Sequence, residues 1–316
     1  MSDILLTIAI PTYNRSKCLG RAIDSALSQV GVNLEVIVSD NASSDDTLSV
    51  MSKYKDNTNV KYIRNSFNIG AVANYNQCLN KASGVYFMIL GDDDWLSENY
   101  AQSLIDTLKD RNGVFFGKCI AITPNEKILH ESSDSSYESS GLDFYNSLVN
   151  RDPEIARHAW FMLAAKTSIL RTAGGFPYTD NASYSDNLLL LKLALDLPVY
   201  YRPDAVIYYS VYPESYGNAN VSALCIAVKQ AFDFWDRELA PVLVEKYGNS
   251  LQKELRRKEI SSFSLMYLGR VFRYGGGYYK KIRLLLSYPH LSWLIMAILS
   301  KPAIGIVNKL IKSLFK

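Results

Sequence analysis

Three consecutive carboxylates, Asp92, Asp93 and Asp94, follow an apolar run over residues 85–90 and one glycine. An apolar run of this length predicts a buried strand, so the carboxylates should lie at its carboxyl end. Adjacent negative charges raise one another's pKa, and a hard divalent cation that bridges to a diphosphate would relieve this repulsion. The same residues could instead form an acidic turn that caps a helix beginning near Ser97.

Two further apolar runs, residues 4–10 and 34–39, also end in polar motifs. The motifs are Pro-Thr-Tyr-Asn-Arg at residues 11–15 and Asp-Asn-Ala-Ser-Ser-Asp at residues 40–45. In an open parallel sheet, ligands bind outside the carboxyl ends of the strands. We therefore expect these motifs and the three aspartates to share one crevice.

The apolar runs, with a fourth at residues 60–64, alternate with stretches that predict helices near residues 16–30, 45–54 and 70–82. Such alternation requires right-handed crossovers and a parallel sheet with helices on both faces. The sequence therefore predicts the α/β class. No GxGxxG motif follows any of these strands, which disfavours a dinucleotide-dependent oxidoreductase.

Together, the motifs resemble family 2 of the GT-A glycosyltransferases over roughly residues 4–215. The resemblance rests on Pro-Thr-Tyr-Asn at 11–14, the motif at 40–45, Asn68-Ile69-Gly70 with Asn76 on the next helix, and the three aspartates. It implies a Rossmann-like, mostly parallel sheet flanked by helices, with a helical C-terminal region. It also implies an inverting transfer from a nucleotide-diphosphate sugar, with a UDP-sugar favoured.

The resemblance further implies a set of donor-binding residues. Pro11 and Tyr13 would line the face of a pyrimidine base, and Asp40 would read its edge. Of the three consecutive aspartates, the first two would contact the ribose and the diphosphate. Asp94, with Asp92, would hold Mn²⁺ or Mg²⁺. The complete donor-binding set is Pro11, Tyr13, Arg15, Asp40, Asn68, Gly70, Asp92 and Asp93.

Two of these motifs also have a plainer structural interpretation. Residues 40–45 could cap a helix beginning near Asp45, with Ser43 or Ser44 as the capping side chain, and could do so while also binding a ligand. The Asn-Ile-Gly motif at 68–70, taken alone, is common where a loop turns into a helix.

A second signature of the resembled family lies further along the chain, where Gly-Gly-Phe at 174–176 is followed by Ser185, Asp186 and an apolar stretch. The resemblance implies that Asp186 is the catalytic base. Its predicted place in the first turn of a helix would keep its carboxylate ionised. Relatives often carry Glu-Asp here, whereas this chain has Ser185 before Asp186. A first-turn aspartate that only stabilises its helix is the alternative, and Asp180 is then the next residue to test.

A further departure concerns the metal. Many relatives carry a Tyr-Arg-x-His-Pro-x-Ser segment whose histidine completes the coordination sphere, and the matching stretch at 209–215 has Tyr212 in that place. A neutral phenol is a poor ligand for a hard cation, so we expect Asp94, the donor phosphates and water to hold the ion. The three histidines of the chain form no ligand-spaced pair, which argues against a zinc site.

The sequence predicts a catalytic domain over residues 1–215, a helical extension over 216–277 and a tail over 278–316. Residues 251–316 carry 13 Lys and Arg against 2 Asp and Glu, whereas residues 1–250 carry 21 against 29. Because the tail mixes cations with aliphatic and aromatic residues, we expect it to lie on an anionic membrane surface and not on nucleic acid. The alternative is a helical cap packed on the domain or a contact between copies in a homo-oligomer.

Other features concern location and flexibility. The four cysteines have no CxxC spacing, which indicates a reduced, cytoplasmic protein, and the tail would place it at the inner face of the cell membrane. The serine-rich stretch at 131–140 predicts a mobile loop, and the three glycines at 275–277 predict a hinge.

Three functions remain open on the sequence alone. The first is an inverting glycosyltransferase that acts on a glycan or lipid-linked acceptor in surface polysaccharide synthesis. The second is a nucleotidyltransferase, which would need a basic, glycine-rich phosphate loop that the motif at 11–14 does not provide. The third is a catalytically inactive relative that only binds sugar nucleotides or partners, an option that Ser185 and Tyr212 keep open.

Overall fold

The computed structural model describes residues 4–123, 125, 127–150, 152, 162–211 and 221–274. The tail predicted over 278–316, the glycine hinge at 275–277 and Tyr212 lie outside these residues.

The first part of the chain forms the predicted alternation of strands and helices. Its elements are β1 (Leu6–Thr12), α1 (Ser16–Leu27), β2 (Leu34–Asp40), α2 (Thr47–Ser52), β3 (Val60–Arg64), α3 (Ala71–Lys81) and β4 (Tyr86–Ile89). The four strands are parallel and lie in the order β3-β2-β1-β4. Thr12 pairs with Asp40, and Asp40 pairs with Arg64, so the carboxyl ends of three strands meet at one edge of the sheet.

The sheet continues with strands of both directions. The further elements are β5 (Trp95–Leu96), α4 (Tyr100–Leu108), β6 (Val114–Ile122), β7 (Ile128–Glu131), β8 (Tyr137–Ser139), α5 (Gly141–Val149), β9 (Ala164–Lys166), α6 (Thr167–Thr172), α7 (Ser185–Ala194) and β10 (Val199–Ser210). The strands of the described residues form one ten-stranded sheet with the main order β3-β2-β1-β4-β9-β6-β10-β5. β10 runs parallel to β6, whereas β5, β7, β8 and β9 pair in antiparallel fashion. The predicted α/β class is confirmed, and the sheet is mixed beyond β4.

Burial explains why these segments form these elements. β2 is buried along its whole length, as expected for a central strand covered on both faces. α1 buries Leu19, Ala22, Ile23 and Ala26, which recur at the spacing of one helix face. The core therefore lies between the sheet and its flanking helices, and the polar strand ends remain available at the edge.

The serine-rich stretch predicted to be a mobile loop is instead anchored to the sheet. β7 and β8 lie at its two ends and pair with β6 and β10. Lys118 on β6 forms ion pairs with Glu131 at 2.8 Å and with Asp134 at 2.5 Å. Residues 137–139 thus form a strand that was not predicted, because serine composition carries no information about strand pairing with distant segments. Residues 132–136 form a loop between the two strands, and the mobility of this loop stays a prediction.

The chain divides into two compact units, one within residues 1–145, 152–178 and 186–212, and one within 146–151, 179–185 and 213–316. In the second unit, α8 (Val221–Phe234) continues through a π-helical turn (Trp235–Leu239) into α9 (Ala240–Tyr274), which is interrupted at Gly248. The helical C-terminal region is thus confirmed for the residues described. The contiguous domain boundaries stay a prediction, and among the described helices none is long and apolar enough to cross a membrane.

Candidate active site

The loops that follow β1 and β2 are joined by hydrogen bonds between their motif residues. The Asn14 amide donates to Ser43 Oγ at 3.0 Å, and the Ser44 amide donates to Asn14 Oδ1 at 2.8 Å. The Asn41 amide donates to the Thr12 carbonyl at 2.9 Å. Asn14 has a positive φ of 55°, a conformation that asparagine tolerates better than most residues. The two motifs, residues 11–15 and 40–45, are therefore joined into one unit at the edge of the sheet, called the rim below.

Asp45 of the rim accepts hydrogen bonds from the first residues of two helices, α1 and α2. Its Oδ2 accepts from the Ser16 amide at 2.9 Å, and its Oδ1 accepts from the Thr47 amide at 3.2 Å and from Thr47 Oγ1 at 2.5 Å. The motif thus provides a hydrogen-bond acceptor at the start of α2, but through Asp45 and not through Ser43 or Ser44 as predicted. The N-cap residue itself is Asp46, whose side chain forms no capping hydrogen bond. Asp45 is exposed overall, and the slight desolvation of its carboxylate raises its pKa. The hydrogen bonds from Thr47 and Ser16 outweigh this effect and lower the pKa to about 2.

We expect Asp45→Ala to lower the free energy of unfolding by about 1–2 kcal/mol at pH 7, because two helix starts lose a capping acceptor. A carboxylate with a depressed pKa stabilises the fold above its unfolded pKa, and this contribution is lost as the pH falls. The difference between wild type and variant should therefore shrink between about pH 4 and pH 2. Denaturant unfolding at several pH values measures it. Asp46→Ala is the matched control, since the Asp46 side chain forms no capping hydrogen bond, and an equal loss in that variant would contradict the assignment.

Asp40 is fully buried at the end of β2, and its carboxylate is engaged by protein groups. Oδ1 accepts from the Ser43 amide at 2.7 Å, and Oδ2 accepts from the Tyr62 hydroxyl at 2.7 Å. Arg64 Nη1 lies 3.5 Å from Oδ2. Burial and the Asp40 hydrogen bond raise the pKa of Tyr62 to about 12. Asp40 thus organises its own loop, and its contact with a base stays a prediction.

The Asn-Ile-Gly motif is held by side-chain amides. Asn68 Oδ1 accepts from Asn41 Nδ2 at 2.8 Å and from the Gly70 amide at 2.9 Å, while Asn41 Oδ1 accepts from the Ile69 amide at 2.9 Å. Gly70 has φ 86° and ψ 156°, a region open essentially only to glycine, and it precedes the first turn of α3. Asn68 and Gly70 therefore lie on the same rim as the first two motifs.

Asn76 on α3 connects this region to the second signature. Its Oδ1 accepts from the Phe176 amide at 2.8 Å, and its Nδ2 donates to the Phe176 carbonyl at 2.9 Å. Gly175 has a φ of 71°, and a Cβ at that position would collide with Asn76. Gly174 has a φ of 88° and open space around it, so backbone conformation alone explains that glycine, whereas Gly175 is explained by both conformation and close packing.

Asp94 lies in a tight turn after β4 and is fully buried. Its amide donates to the Gly91 carbonyl at 3.1 Å, and its Oδ1 accepts from the Ser210 amide at 2.7 Å. Its Oδ2 is buried and has no hydrogen-bond partner among the described residues. A Cβ at position 91 would collide with that oxygen, which explains the glycine before the three aspartates. The turn therefore contains one buried carboxylate oxygen that is unsatisfied among the described residues.

Burial and mutual repulsion make the ionised forms of the carboxylates in this turn less favourable. Burial and the charge of Asp93 raise the pKa of Asp92 to about 7, and the same two causes hold the pKa of Asp94 well above its ordinary value. Burial also raises the pKa of Asp93, although Arg15, whose Nη1 lies 3.4 Å from Asp93 Oδ2, opposes the shift. A divalent cation at the turn would offset this cost.

The residues of the aspartate turn fit a cation that takes most of its ligands from substrate phosphates and water. Among the described residues, no group of three or more His, Cys, Asp and Glu side chains is arranged to hold a metal ion. Asp94 nevertheless offers the unsatisfied oxygen described above, and Asp92 lies two residues earlier in the same turn. A magnesium-type ion is commonly held by one or two carboxylates together with substrate phosphates and water.

The alternative in which the aspartates cap the next helix is wrong. α4 begins at Tyr100, and β5 lies between the aspartate turn and this helix. The residue before α4 is Asn99, and its side chain forms no capping hydrogen bond. The three aspartates therefore have no part in starting α4.

The remaining predicted site residues lie in the loop after β1 and in the first turn of α7, as the sequence predicts. Tyr13 is 46% exposed and Pro11 is half-buried, and both belong to the first motif of the rim. Asp186 is half-buried in the first turn of α7, as predicted. Ser185, the other departure from the family pattern, is buried. The roles of these residues toward a donor or an acceptor stay predictions.

The family model described as "Glycosyl transferase family 2" matches residues 7–171, just over half of the chain. The chain belongs to glycosyl transferase family 2. The match covers the rim, the aspartate turn and the strands that carry them, and it ends before Asp186.

Curated relatives of this family 2 chain include two bacterial glucosyltransferases. One is the GalNAc(5)-diNAcBac-PP-undecaprenol beta-1,3-glucosyltransferase of Campylobacter jejuni, 33% identical over 50% of this chain and 47% of that protein. Another is the UDP-Glc:alpha-D-GlcNAc-diphosphoundecaprenol beta-1,3-glucosyltransferase WfaP of Escherichia coli, 30% identical over 64% of this chain and 78% of that protein. The chain thus spans about half the length of the first relative and over three quarters of the second.

Solved structures show the same fold at low sequence identity. The Staphylococcus aureus TarS fragment 1–349 in complex with UDP-GlcNAc has a TM-score of 0.59 and 16% identity, covering 93% of this chain and 88% of that one. The mannosyltransferase PcManGT of Pyrobaculum calidifontis, in complex with GDP-Man and Mn²⁺, has a TM-score of 0.57 and 18% identity, covering 98% and 85%. These likenesses confirm the GT-A-type fold.

Several residues of this family 2 site are not evident from the sequence. Arg21 and Ser210 contact the aspartate turn, and Tyr62 and Arg64 hold Asp40. Their partners lie far away in the chain, so no local spacing reveals them. Ser210 alone falls in a segment, 209–215, that the resemblance had singled out.

Proposed function

We propose that this chain is an inverting glycosyltransferase that moves a sugar from a UDP-sugar to a hydroxyl group of a lipid-linked glycan in surface polysaccharide synthesis. The observation that carries the proposal is the aspartate turn with its unsatisfied Asp94 oxygen, set at the end of β4 in a sheet where the carboxyl ends of β1 and β2 carry the joined rim. Family membership and the fold support the same class of reaction. A nucleotidyltransferase has no comparable support.

The donor assignment to UDP rests on the relatives and not on the fold. WfaP, whose name gives UDP-Glc as donor, is 30% identical over 78% of its length. The two solved structures named above contain UDP-GlcNAc and GDP-Man, so one fold accepts different bases. The exposed Tyr13 ring and the half-buried Pro11 are the surfaces of this chain on which a base would stack.

The metal ion in this proposal is Mn²⁺ or Mg²⁺, held by Asp94 with Asp92. When bound, such an ion neutralises the charge that develops on the leaving diphosphate. Arg15, which already pairs with Asp93, supplies a further positive charge at the same turn. Together, this arginine and a cation held by the aspartates would offset the negative charge of the donor diphosphate.

Asp186 is the proposed base. It would take the proton from the acceptor hydroxyl while that oxygen forms a bond to the anomeric carbon and the bond from this carbon to the diphosphate oxygen breaks. UDP leaves, and the new glycosidic bond has the opposite anomeric configuration. The first turn of α7 favours the ionised carboxylate through the helix dipole.

A screen of nucleotides tests the donor assignment without knowledge of the acceptor. Thermal unfolding of the purified protein should shift upward with UDP or UDP-sugars in the presence of Mn²⁺, and less with GDP or dTDP, because ligands that bind only the folded state raise its stability. A larger shift with GDP than with UDP would contradict the assignment. No shift with any nucleotide would contradict the proposed donor site as a whole.

We further propose that the chain works at the inner face of the cell membrane through its basic, apolar tail at 278–316. Removing residues from 278 onward should release the protein from vesicles of anionic lipid and leave its UDP affinity unchanged, because anchoring and donor binding would be separate. Co-sedimentation with anionic vesicles measures this, with neutral vesicles as the control. A truncated protein that still pellets with anionic vesicles would refute the assignment, and one that unfolds would favour a tail packed on the domain.

A further inference from the structure

The side chain of Arg21 on α1 contacts a backbone carbonyl of the aspartate turn, residues 92–94. Its Nη2 donates to the Asp93 carbonyl at 2.8 Å and lies 3.3 Å from Ser210 Oγ. Ser210 Oγ itself donates to the Asp93 carbonyl at 2.5 Å. This carbonyl therefore receives two donors, one from α1 and one from the end of β10. A peptide group with both lone pairs engaged has little freedom to rotate.

The guanidinium group of Arg21 is itself held in place by aromatic stacking. Its Cζ lies 3.6 Å from the centre of the Trp95 ring, and Trp95 stacks on Tyr208 with ring centres 5.1 Å apart and an interplanar angle of 10°. Trp95 and Tyr208 also pair across β5 and β10. A planar cation can stack on a ring and donate within its own plane at the same time, which a lysine cannot reproduce.

The orientation of the peptide after Asp93 decides where the Asp94 carboxylate lies. Asp94 Oδ1 is fixed by the Ser210 amide, and the Ser210 hydroxyl and Arg21 fix the preceding carbonyl. The unsatisfied Oδ2 is then left beside Gly91 in a single position. Arg21, Ser210 and Trp95 form a frame around the turn, and none of the three belongs to the donor-binding set predicted from the sequence.

We propose that Arg21 is a positioning residue that holds the Asp92–Asp94 turn in the shape required for a divalent cation and a diphosphate, by clamping the Asp93 carbonyl while stacked on Trp95. The proposal rests on the function proposed above. It adds a residue on α1 to a donor-binding region otherwise built from the loops that follow β1, β2, β3 and β4. Arg21 acts on the donor through the turn and not by contact.

The test compares UDP affinity with and without Mg²⁺ by calorimetry in wild type, Arg21→Ala and Arg21→Lys. In wild type, Mg²⁺ should strengthen UDP binding. In Arg21→Ala we expect this metal-dependent enhancement to fall about tenfold, the scale of one charge-assisted hydrogen bond, while metal-free affinity changes by less than about twofold. Arg21→Lys should recover only part of the enhancement, because it restores one donor but not the stacked plane.

Two further variants provide a charge control and a second test of the clamp on the Asp93 carbonyl. Lys17→Ala removes a positive charge from the exposed face of the same helix, takes no part in the contacts described for the turn and should behave as wild type. Ser210→Ala removes the second donor to the Asp93 carbonyl but keeps the amide that binds Asp94, so it should show a smaller loss in the same direction. It also serves as the test if Arg21→Ala does not fold.

Several outcomes would overturn the inference. A full metal-dependent enhancement in Arg21→Ala, or in Ser210→Ala if the first variant does not fold, would show that the clamp is not needed. An equal loss in Lys17→Ala would assign the effect to general charge and not to position. If wild type itself binds UDP with no gain from Mg²⁺, the metal part of the proposed function fails, and the inference fails with it. If Mg²⁺ instead strengthens UDP binding equally in wild type and in the variants, only the inference fails and the proposed function stands.

Discussion

Asp186→Asn should reduce sugar transfer by roughly 10² to 10⁴ while leaving UDP affinity and the melting temperature close to those of wild type. The base acts on the acceptor, so its loss removes chemistry and not donor binding. Asn keeps the size of the side chain in the first turn of α7 and removes only the charge. Turnover with saturating UDP-sugar, together with calorimetric UDP binding, measures both quantities.

Asp180→Asn is the companion variant. Asp180 lies in a short turn in which its amide donates to Gln230 Oε1 at 2.6 Å and its Oδ1 accepts from Gln230 Nε2 at 3.3 Å. We expect this variant to keep most of its turnover. Near wild-type turnover in Asp186→Asn combined with a large loss in Asp180→Asn would move the base to Asp180.

Asp94→Asn should abolish metal-stimulated transfer, a loss of at least about 10², and at the same time raise the melting temperature of the protein without ligand. An asparagine oxygen can still accept from the Ser210 amide, so the turn keeps its anchor. The substitution removes a buried charge that Asp92 and Asp93 disfavour. Activity and stability should therefore change in opposite directions, as is common where a functional site carries unfavourable charge.

Thermal unfolding in EDTA and transfer assays with and without Mn²⁺ measure the two effects of Asp94→Asn. Asp106→Asn provides the control, because Asp106 is an exposed aspartate on α4. It should change neither quantity. Full transfer by wild type in excess EDTA, or by Asp94→Asn, would contradict the role of Asp94. A lower melting temperature in Asp94→Asn would show that its carboxylate stabilises the turn after all.

The parallel part of the sheet could be predicted because its signals are local. The strand predicted over residues 34–39 is observed as Leu34–Asp40, and the strand predicted over 60–64 has the same limits in the structure. The runs that form β1, β2 and β4 are buried along most of their length and end at polar motifs, whereas β3 is half-buried to exposed. The sequence itself therefore marks the edge of the sheet. The helix that carries Asp186 was predictable for the same reason.

The contacts that complete the site were not predictable, because they join distant segments. Asp40 is held by Tyr62, and the Asp93 carbonyl is held by Arg21 and Ser210. An arginine on a helix and a serine at the end of a late strand have no spacing that connects them to an aspartate turn. The capping residue of the second motif was misassigned for a related reason, since Asp45 serves two helices and only one of them follows it in sequence.

The anomeric configuration of the product tests the central claim most directly. The protein would be incubated with a UDP-sugar, Mn²⁺ and a synthetic lipid-diphosphate-linked N-acetylhexosamine, and the anomeric configuration of the new glycosidic bond would be determined by NMR. Direct displacement with Asp186 as base predicts a glycosidic bond of inverted configuration relative to the donor, with UDP as the second product. A product of retained configuration would contradict the account.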